Sequence, residues 1–493
     1  MAKRVTGTPA RVGLVVRARA YAHGFTGMTA NARRLLTAST CLWVGVGIFG
    51  VLFNLYLIAL GYSVAFIGLL AALSTVGQAA VSLVLGPLLR AWPTRTVMAG
   101  ATALVTATMA ASAIFTQAVP LAVLTLLQGA AFSAAIIPSS PFIMEQATVE
   151  RRPHLFSAYM ASTSLGSMVG ALISGLLPAI AGMLSVLRGH VVIQDRLGLL
   201  LGAVITAVGV WSLGRITGER VEPDSAGDTP PITESGPVDE DERRRDVLAM
   251  MAATACIALS LGLVYPLFNV YFATVHHAST ASIGILYAAS GMFCTAGAML
   301  GPLAGRWGTL RGLVAFRAQS APLLLLFWLH PGSAIAFGAY IGRNILGQIT
   351  GTLENNFTME RVPASLRAAV ANWRTFSFNV GWTAGSLVGG AVVARYGFDP
   401  VFVASAVLTM AGTFTWYHRF AGRRLPPRFP LRVVEKNDSP SYVIPLEPSL
   451  GPHLDPKMEV DSLPRLSCPK PGEPRSDQSS EAVDPLLSDR SSD

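Results

Sequence analysis

The sequence predicts an all-α polytopic membrane protein, with twelve transmembrane helices arranged as two pseudo-symmetric six-helix bundles. Three observations predict it. Of the 493 residues, 52% are hydrophobic and only 13% charged, against roughly 25% charged in a soluble domain. Apolar runs of about 20 residues, the length that crosses a hydrocarbon core of roughly 30 Å, fill residues 35–420. The phrase LFNLY at 52–56 returns as LFNVY at 267–271, an offset of 215 residues.

The same offset holds elsewhere. It carries Cys41 to Cys256, GPLLRAW (86–92) to GPLAGRW (301–307), FIMEQ (142–146) to FTMER (357–361) and Arg152 to Arg367. It also carries GSMVGALISG (166–175) to GWTAGSLVGG (381–390), so that Gly166, Gly170 and Gly175 land on Gly381, Gly385 and Gly390. The chain therefore holds two copies of one long unit, far beyond solenoid repeat length.

The apolar runs place spans at 35–60, 66–89, 97–116, 120–142, 155–182 and 197–214 in the first copy. The second copy has 247–273, 282–304, 312–330, 334–354, 368–394 and 401–420. Strand-length alternation is absent, so the spans are helices. The domains are a basic tail (1–34), a first bundle (35–214), a linker (215–246), a second bundle (247–420) and a tail (421–493). Linker and C-terminal tail are rich in Pro, Ser and acids and bury too little apolar surface to fold.

Arginines set the orientation. One side collects residues such as Arg33, Arg34, Arg90, Arg95, Arg151, Arg152, Arg215, Arg306, Arg311, Arg361 and Arg367, while the other holds Arg188, Arg196 and Arg395. Both termini and the linker are expected in the cytoplasm, and the plasma (inner) membrane is the expected location. The formal charge of +9 follows from this asymmetry and calls for no nucleic-acid partner. The 34-residue leader is Arg-rich and free of acids. It reads as a cytoplasmic tail, with a transit peptide as the alternative. Cys41, Cys256, Cys294 and Cys468 show no disulfide or metal spacing.

Two six-helix copies, a long linker and a Gly-rich loop after each second helix resemble the major facilitator superfamily, nearest its drug-antiporter-like branch. The family's loop signature runs G-x-L-A-D-R-x-G-R-R. The second copy, GPLAGRWGTLR (301–311), keeps Gly301, Arg306, Gly308 and Arg311, with Gly305 at the Asp position. The first, GPLLRAWPTR (86–95), keeps Gly86 and has Arg90 there. The resemblance implies that these residues act in conformational switching, but the latch that the family builds on the Asp is missing from both copies. It also implies alternating access around a central site.

The glycines of the fifth and eleventh helices allow close backbone approach in lipid and read as packing at the interface of the copies. Asn54 and Asn269, with Tyr56 and Tyr271, fall at the outer ends of the first and seventh helices. An unpaired amide in hydrocarbon is costly, so the two asparagines either bond each other as an outer gate or cap a neighbouring backbone. Charges inside spans are functional flags. Arg343 lies mid-span in the tenth helix, where the first copy has Gln128, and shares a helical face with Gly347, Thr350 and Glu354. Arg374 in the eleventh helix lies at the depth of Glu354, and the two are expected to pair when the cytoplasmic mouth closes. Arg317 is expected to snorkel to the interface.

No nucleotide loop, metal-spaced His pair or nucleophile elbow is present, so neither enzyme chemistry nor a cofactor is expected. The leading reading is a monomeric secondary transporter of a small organic molecule, in contact with membrane lipid and driven by protons in an efflux cycle. Uniport or import of an anionic metabolite is the alternative, and a non-transporting sensor or scaffold using the tail is a third reading.

Overall fold

Backbone in hydrocarbon must satisfy its own N–H and C=O groups, and the chain does so with twelve helical spans. The computed structural model describes residues 28–147, 151–181, 189–217, 240–304, 308–362 and 366–421. Most of the two tails, the linker residues 218–239, and Gly305 and Arg306 lie outside the described residues.

In the first copy the spans are α1 (Ala30–Ala59), α2 (Val64–Ala91), α3 (Thr94–Ile114), α4 (Ala118–Ile136, resuming as Ser139–Gln146), α5 (Arg152–Ala181) and α6 (Val191–Gly214). In the second they are α7 (Glu240–Val264, resuming as Phe268–Thr274), α8 (Thr280–Ala304), α9 (Thr309–Ala318, resuming as Ser320–Trp328), α10 (Ser333–Arg361), α11 (Arg367–Tyr396) and α12 (Asp399–Phe420). Among the described residues, nine of these are long and apolar enough to cross a membrane by length and composition alone. Of the other three, α10 and α11 carry the charges discussed below.

Three spans break where proline removes a backbone donor and crowds the preceding turn. Pro138 interrupts α4, and Pro266 sits in the 3₁₀ turn Tyr265–Leu267 that interrupts α7. Pro322 follows the break of α9 at Gln319. The apolar runs concealed these breaks. They also placed the start of α6 at 197. The helix begins at Val191, which draws Asp195 and Arg196 out of the expected loop and into the span.

The expected loops after α2 and α8 shrink as well. Gly86 and Arg90 are helical residues of α2, both exposed, and Gly301 is helical in α8. Gly308 does form a turn: its φ of +93° belongs to the left-handed region that glycine tolerates, and it precedes α9. Arg311 is exposed in the first turn of α9.

The glycines divide into two roles. Gly166 and Gly170 seat α5 on α1, where a Cβ on Gly170 would lie 3.0 Å from the Gly47 Cα. Their mates Gly381 and Gly385 seat α11 on α7, with 2.9 Å from a Cβ on Gly385 to the Gly262 Cα. These four contacts lie within bundles, not between them as expected. Only the third glycine of each run crosses. A Cβ on Gly175 would lie 3.2 Å from the Gly284 Cα of α8, and one on Gly390 would lie 2.9 Å from the Gly68 Cα of α2. Gly68 sits in the first turns of α2 and Gly390 in the last turns of α11, so the bundles meet at the ends that the arginine asymmetry assigns to the outside. These are called the outer ends below.

This packing leaves no room for a side chain at Gly385. Gly385→Val is expected to destabilise the purified protein by about 1–3 kcal/mol or more. Gly100→Ala, in α3 with nothing within 4 Å of the added Cβ, is expected to be neutral or slightly stabilising. Thermal melts in one detergent read both, and equal melting temperatures for the two variants would refute the packing role.

Candidate functional site

At the outer ends the repeated phrase meets itself. Asn54 Nδ2 donates to the Pro266 carbonyl at 2.7 Å and to Asn269 Oδ1 at 3.1 Å. Asn269 Nδ2 donates to the Val51 carbonyl at 3.2 Å. Residues 51 and 266 are themselves offset mates, so each asparagine caps the carbonyl three residues before the other. Both alternatives left open by the sequence, mutual bonding and backbone capping, occur together. The neighbouring tyrosines do something else. Tyr56 and Tyr271 are fully buried and turn into their own bundles, where their hydroxyls donate to the Ala113 and Phe327 carbonyls at 3.2 and 3.4 Å. They do not line the cavity. A large side chain with one polar tip finds a carbonyl inside the bundle and stays dry.

Beneath the asparagine pair lies a cavity of about 270 Å³. Its wall is mostly first-bundle: Phe49, Phe53 and Phe132 supply apolar surface, Gln128 and Asn54 polar atoms, and Pro266 closes it from α7. Gln128 is buried, and its Oε1 has no partner among the described residues.

Its mate Arg343 stands in α10, ten residues or about 15 Å from the outer end at 1.5 Å per residue. The side chain is 5% exposed, and its guanidinium lies 5.6 Å over the Phe268 ring. The Tyr265 and Tyr340 hydroxyls are close enough to act on its charge. No carboxylate or hydrogen bond reaches it among the described residues, and Nε is buried without a partner. Tyr265 is the residue before the cavity-lining Pro266 and remains 39% exposed, while Arg343 itself is not among the residues that line the cavity. One turn further in, Gly347 is exposed and a Cβ there would meet nothing within 4 Å.

The third group lies in the inner half of the second bundle. Glu354 of α10 accepts from Arg317 of α9 at 2.5 Å, from Arg374 of α11 at 2.8 Å and from Thr254 of α7 at 3.1 Å. Arg374 also reaches Thr358 and Asn355. The Glu354–Arg374 pair exists, but it joins helices of one bundle while the outer ends are together. It is a brace within the bundle, not a gate across the mouth. Arg317 does not snorkel, since a buried carboxylate within reach holds it more strongly than the interface does. A second brace nearer the inner end ties Asp246 of α7 to Arg361 of α10 at 3.2 Å and Arg419 of α12 at 2.7 Å. The first-bundle mates of Arg317, Glu354, Arg374 and Thr254 are the uncharged Thr102, Ser139, Tyr159 and Ser39.

In the first bundle, Asp195 of α6 is 2% exposed, and its buried Oδ2 has no partner among the described residues. The adjacent Arg196 donates to the Tyr56 hydroxyl at 3.4 Å. Sequence reasoning missed this acid because the polar start of α6 read as loop.

The family model described as the Major Facilitator Superfamily matches residues 35–376. The chain belongs to that superfamily. Solved structures of low identity share the fold of this superfamily member. A bacterial homolog of the human lysosomal transporter Spinster, inward-facing and unoccupied, aligns with a TM-score of 0.64 at 13% identity, covering 79% of this chain and 96% of that one. The nucleoside transporter NupG aligns at 0.60 and 14% identity over 80% and 100%. A bacterial homologue of the iron transporter ferroportin, inward-facing, aligns at 0.61 and 11% identity over 79% and 98%. No curated protein matches the chain.

Within this superfamily fold the brace has a measurable cost of removal. Glu354→Gln leaves two buried arginines without their carboxylate and is expected to destabilise by about 3–5 kcal/mol. In a double-mutant cycle, Glu354 and Arg317 should couple as strongly as Glu354 and Arg374. A coupling energy near zero for the Arg317 arm would return that residue to the interface.

Proposed function

We propose that this superfamily member is a secondary transporter that moves a small organic anion by alternating access, with Arg343 as the anion-binding group. The observation that carries the reading is a buried guanidinium that no carboxylate reaches among the described residues. A buried charge is normally paired. The acid on the same helix, Glu354, is held between two other arginines. The planar fork of Arg343 suits a carboxylate or phosphate, and the tyrosines around it supply further donors.

The cycle follows from the two-bundle architecture. With outer ends together, Asn54 and Asn269 are bonded and the cavity lies beneath them. Rocking separates the asparagines, whose amides then bond water, so the latch opens at small cost. Proton-coupled efflux of lipophilic compounds would call for an acid free to titrate on the cavity wall, and the lining carries none.

Arg343→Gln is expected to weaken binding of an anionic substrate at least thirtyfold, about 2 kcal/mol or more, while the melting temperature of the unliganded protein holds. Ligand-dependent thermal stabilisation across carboxylates, phosphates, neutral compounds and lipophilic cations measures this. Stabilisation by cations alone, or unchanged anion binding in Arg343→Gln, would replace the anion reading with drug efflux.

We also propose that the linker and both termini face the cytoplasm, on the strength of the arginine asymmetry. On a background lacking the native cysteines, single cysteines in 215–246 and in TVHHASTA (274–281) are expected to label from opposite sides. Labelling of both from outside by one impermeant reagent would overturn the topology.

A further inference from the structure

The repeat mates Tyr56 and Tyr271 each take a hydrogen bond on the hydroxyl from a basic side chain at the outer end. Arg196 Nη2 lies 3.4 Å from the Tyr56 hydroxyl, and His276 Nε2 lies 3.2 Å from that of Tyr271. These two donors are not themselves mates, since the offset carries His276 back to Gly61. Where the first copy uses a permanent cation, the second uses a group that titrates near neutral pH.

His276 is half-buried in the turn between α7 and α8. The Tyr271 hydroxyl donates to the Phe327 carbonyl, so Nε2 is the donor in its bond to Tyr271. Nδ1 then accepts from the Ser333 hydroxyl at 3.4 Å, and both nitrogens of a neutral imidazole are engaged. A second proton goes to Nδ1 and ends that acceptance. It also sets a charge against the N-terminus of α10, which begins at Ser333, and helix N-termini disfavour cations. Burial and the charge of His330 together push His276 below its ordinary value. The carboxylate on this side, Asp399 in the first turn of α12, lies 3.1 Å from His330 and is engaged there. His277 is exposed, Arg395 of α11 lies over its neighbour Tyr396, and α8 opens on the uncharged residues Thr280–Ala281–Ser282.

We infer that His276 is a proton-binding site at the outer end, and that a proton bound there favours separation of the two bundles. His276 anchors the far end of the seven-residue helix Phe268–Thr274, which carries Asn269. The turn Tyr265–Leu267 sets this helix off from the rest of α7, so with its anchor released it tilts by itself and takes Asn269 from Asn54. Joined outer ends bind the proton more weakly than separated ends, where the imidazole is solvated. Acid therefore favours separation as pH falls through the ordinary value of 6.5. This site is independent of the anion reading at Arg343.

The test places paired spin labels at Ala59→Cys and Tyr396→Cys, both exposed, in the full-length protein lacking its native cysteines. From about pH 8 to about pH 5.5, the ratio of separated to joined outer ends is expected to rise, by at most about tenfold for one proton. His276→Gln, whose amide keeps a donor and an acceptor, is expected to hold the ratio constant. His330→Gln is expected to move the midpoint to higher pH by removing the repulsion, and His277→Gln to leave the profile unchanged. A flat or reversed profile in the parent protein, or an unaltered one in His276→Gln, would overturn the inference and leave the anion reading intact. Should His276→Gln fail to fold, the midpoint in His330→Gln decides, and an unmoved midpoint overturns it equally.

Discussion

Two asparagines, each capping the helix of the other, hold the outer end of this molecule together, and the symmetry behind that contact organises the rest. A pair of units related by a two-fold axis meets on the axis through the same surface twice. A residue there contacts its own repeat mate, so any change in one copy must also suit the other. Asn54 and Asn269 are in this position: each donates to the carbonyl three residues before its partner, at 2.7 and 3.2 Å. The same constraint explains why LFNLY and LFNVY stay alike. Beside the axis, Gly175 against Gly284 and Gly390 against Gly68 bring the backbones together without intervening side chains, which is how helices associate where lipid offers no hydrophobic driving force.

Away from the axis the copies are free to differ, and they differ in charge. The inner half of the second bundle holds Glu354 between Arg317 and Arg374, and Asp246 between Arg361 and Arg419. The corresponding first-bundle residues, including Asn31 for Asp246 and Gln146 for Arg361, are uncharged and similar in size or smaller. Elsewhere the geometry outlives the chemistry. Arg152 donates to the Ala147 carbonyl and Arg367 to the Val362 carbonyl, the same bond in both copies at 3.3 and 3.1 Å. A shared fold thus carries two kinds of interior: one braced by ions, the other left with a cavity.

Much of this was legible in the sequence because it is written twice. The offset of 215 residues located the glycine contacts, the asparagine pair and the substitution of Arg343 for Gln128. What it could not supply was direction. The spacing of Gly166, Gly170 and Gly175 says that backbones approach there, but not that the first two face α1 and the third faces α8. Tyr56 and Tyr271 sat in the right phrase, yet their rings turn inward, since orientation around a helix is set by partners that a single apolar run does not name. Arg317 was read from its place near a helix end, where a long cation usually reaches water. The carboxylate that captures it comes from a helix 37 residues away. Asp195 was lost for the opposite reason: polar residues at the start of α6 look like loop until packing shows them buried.

The two braces also bear on why Arg343 stands apart. Burying several charges in one bundle is tolerable only when each finds its counter-charge nearby. Glu354 has two arginines, and Asp246 has two. Every one of these pairs lies in the inner half, where they tie α7, α9, α10, α11 and α12 together. Arg343 stands outside that network, about 16 Å along α10 from Glu354 at 1.5 Å per residue, beyond the reach of its carboxylate. A guanidinium in this position is left without a counter-charge among the described residues. The bundle braced by ions thus keeps one buried charge outside its ion pairs, and the bundle without such braces supplies most of the cavity wall.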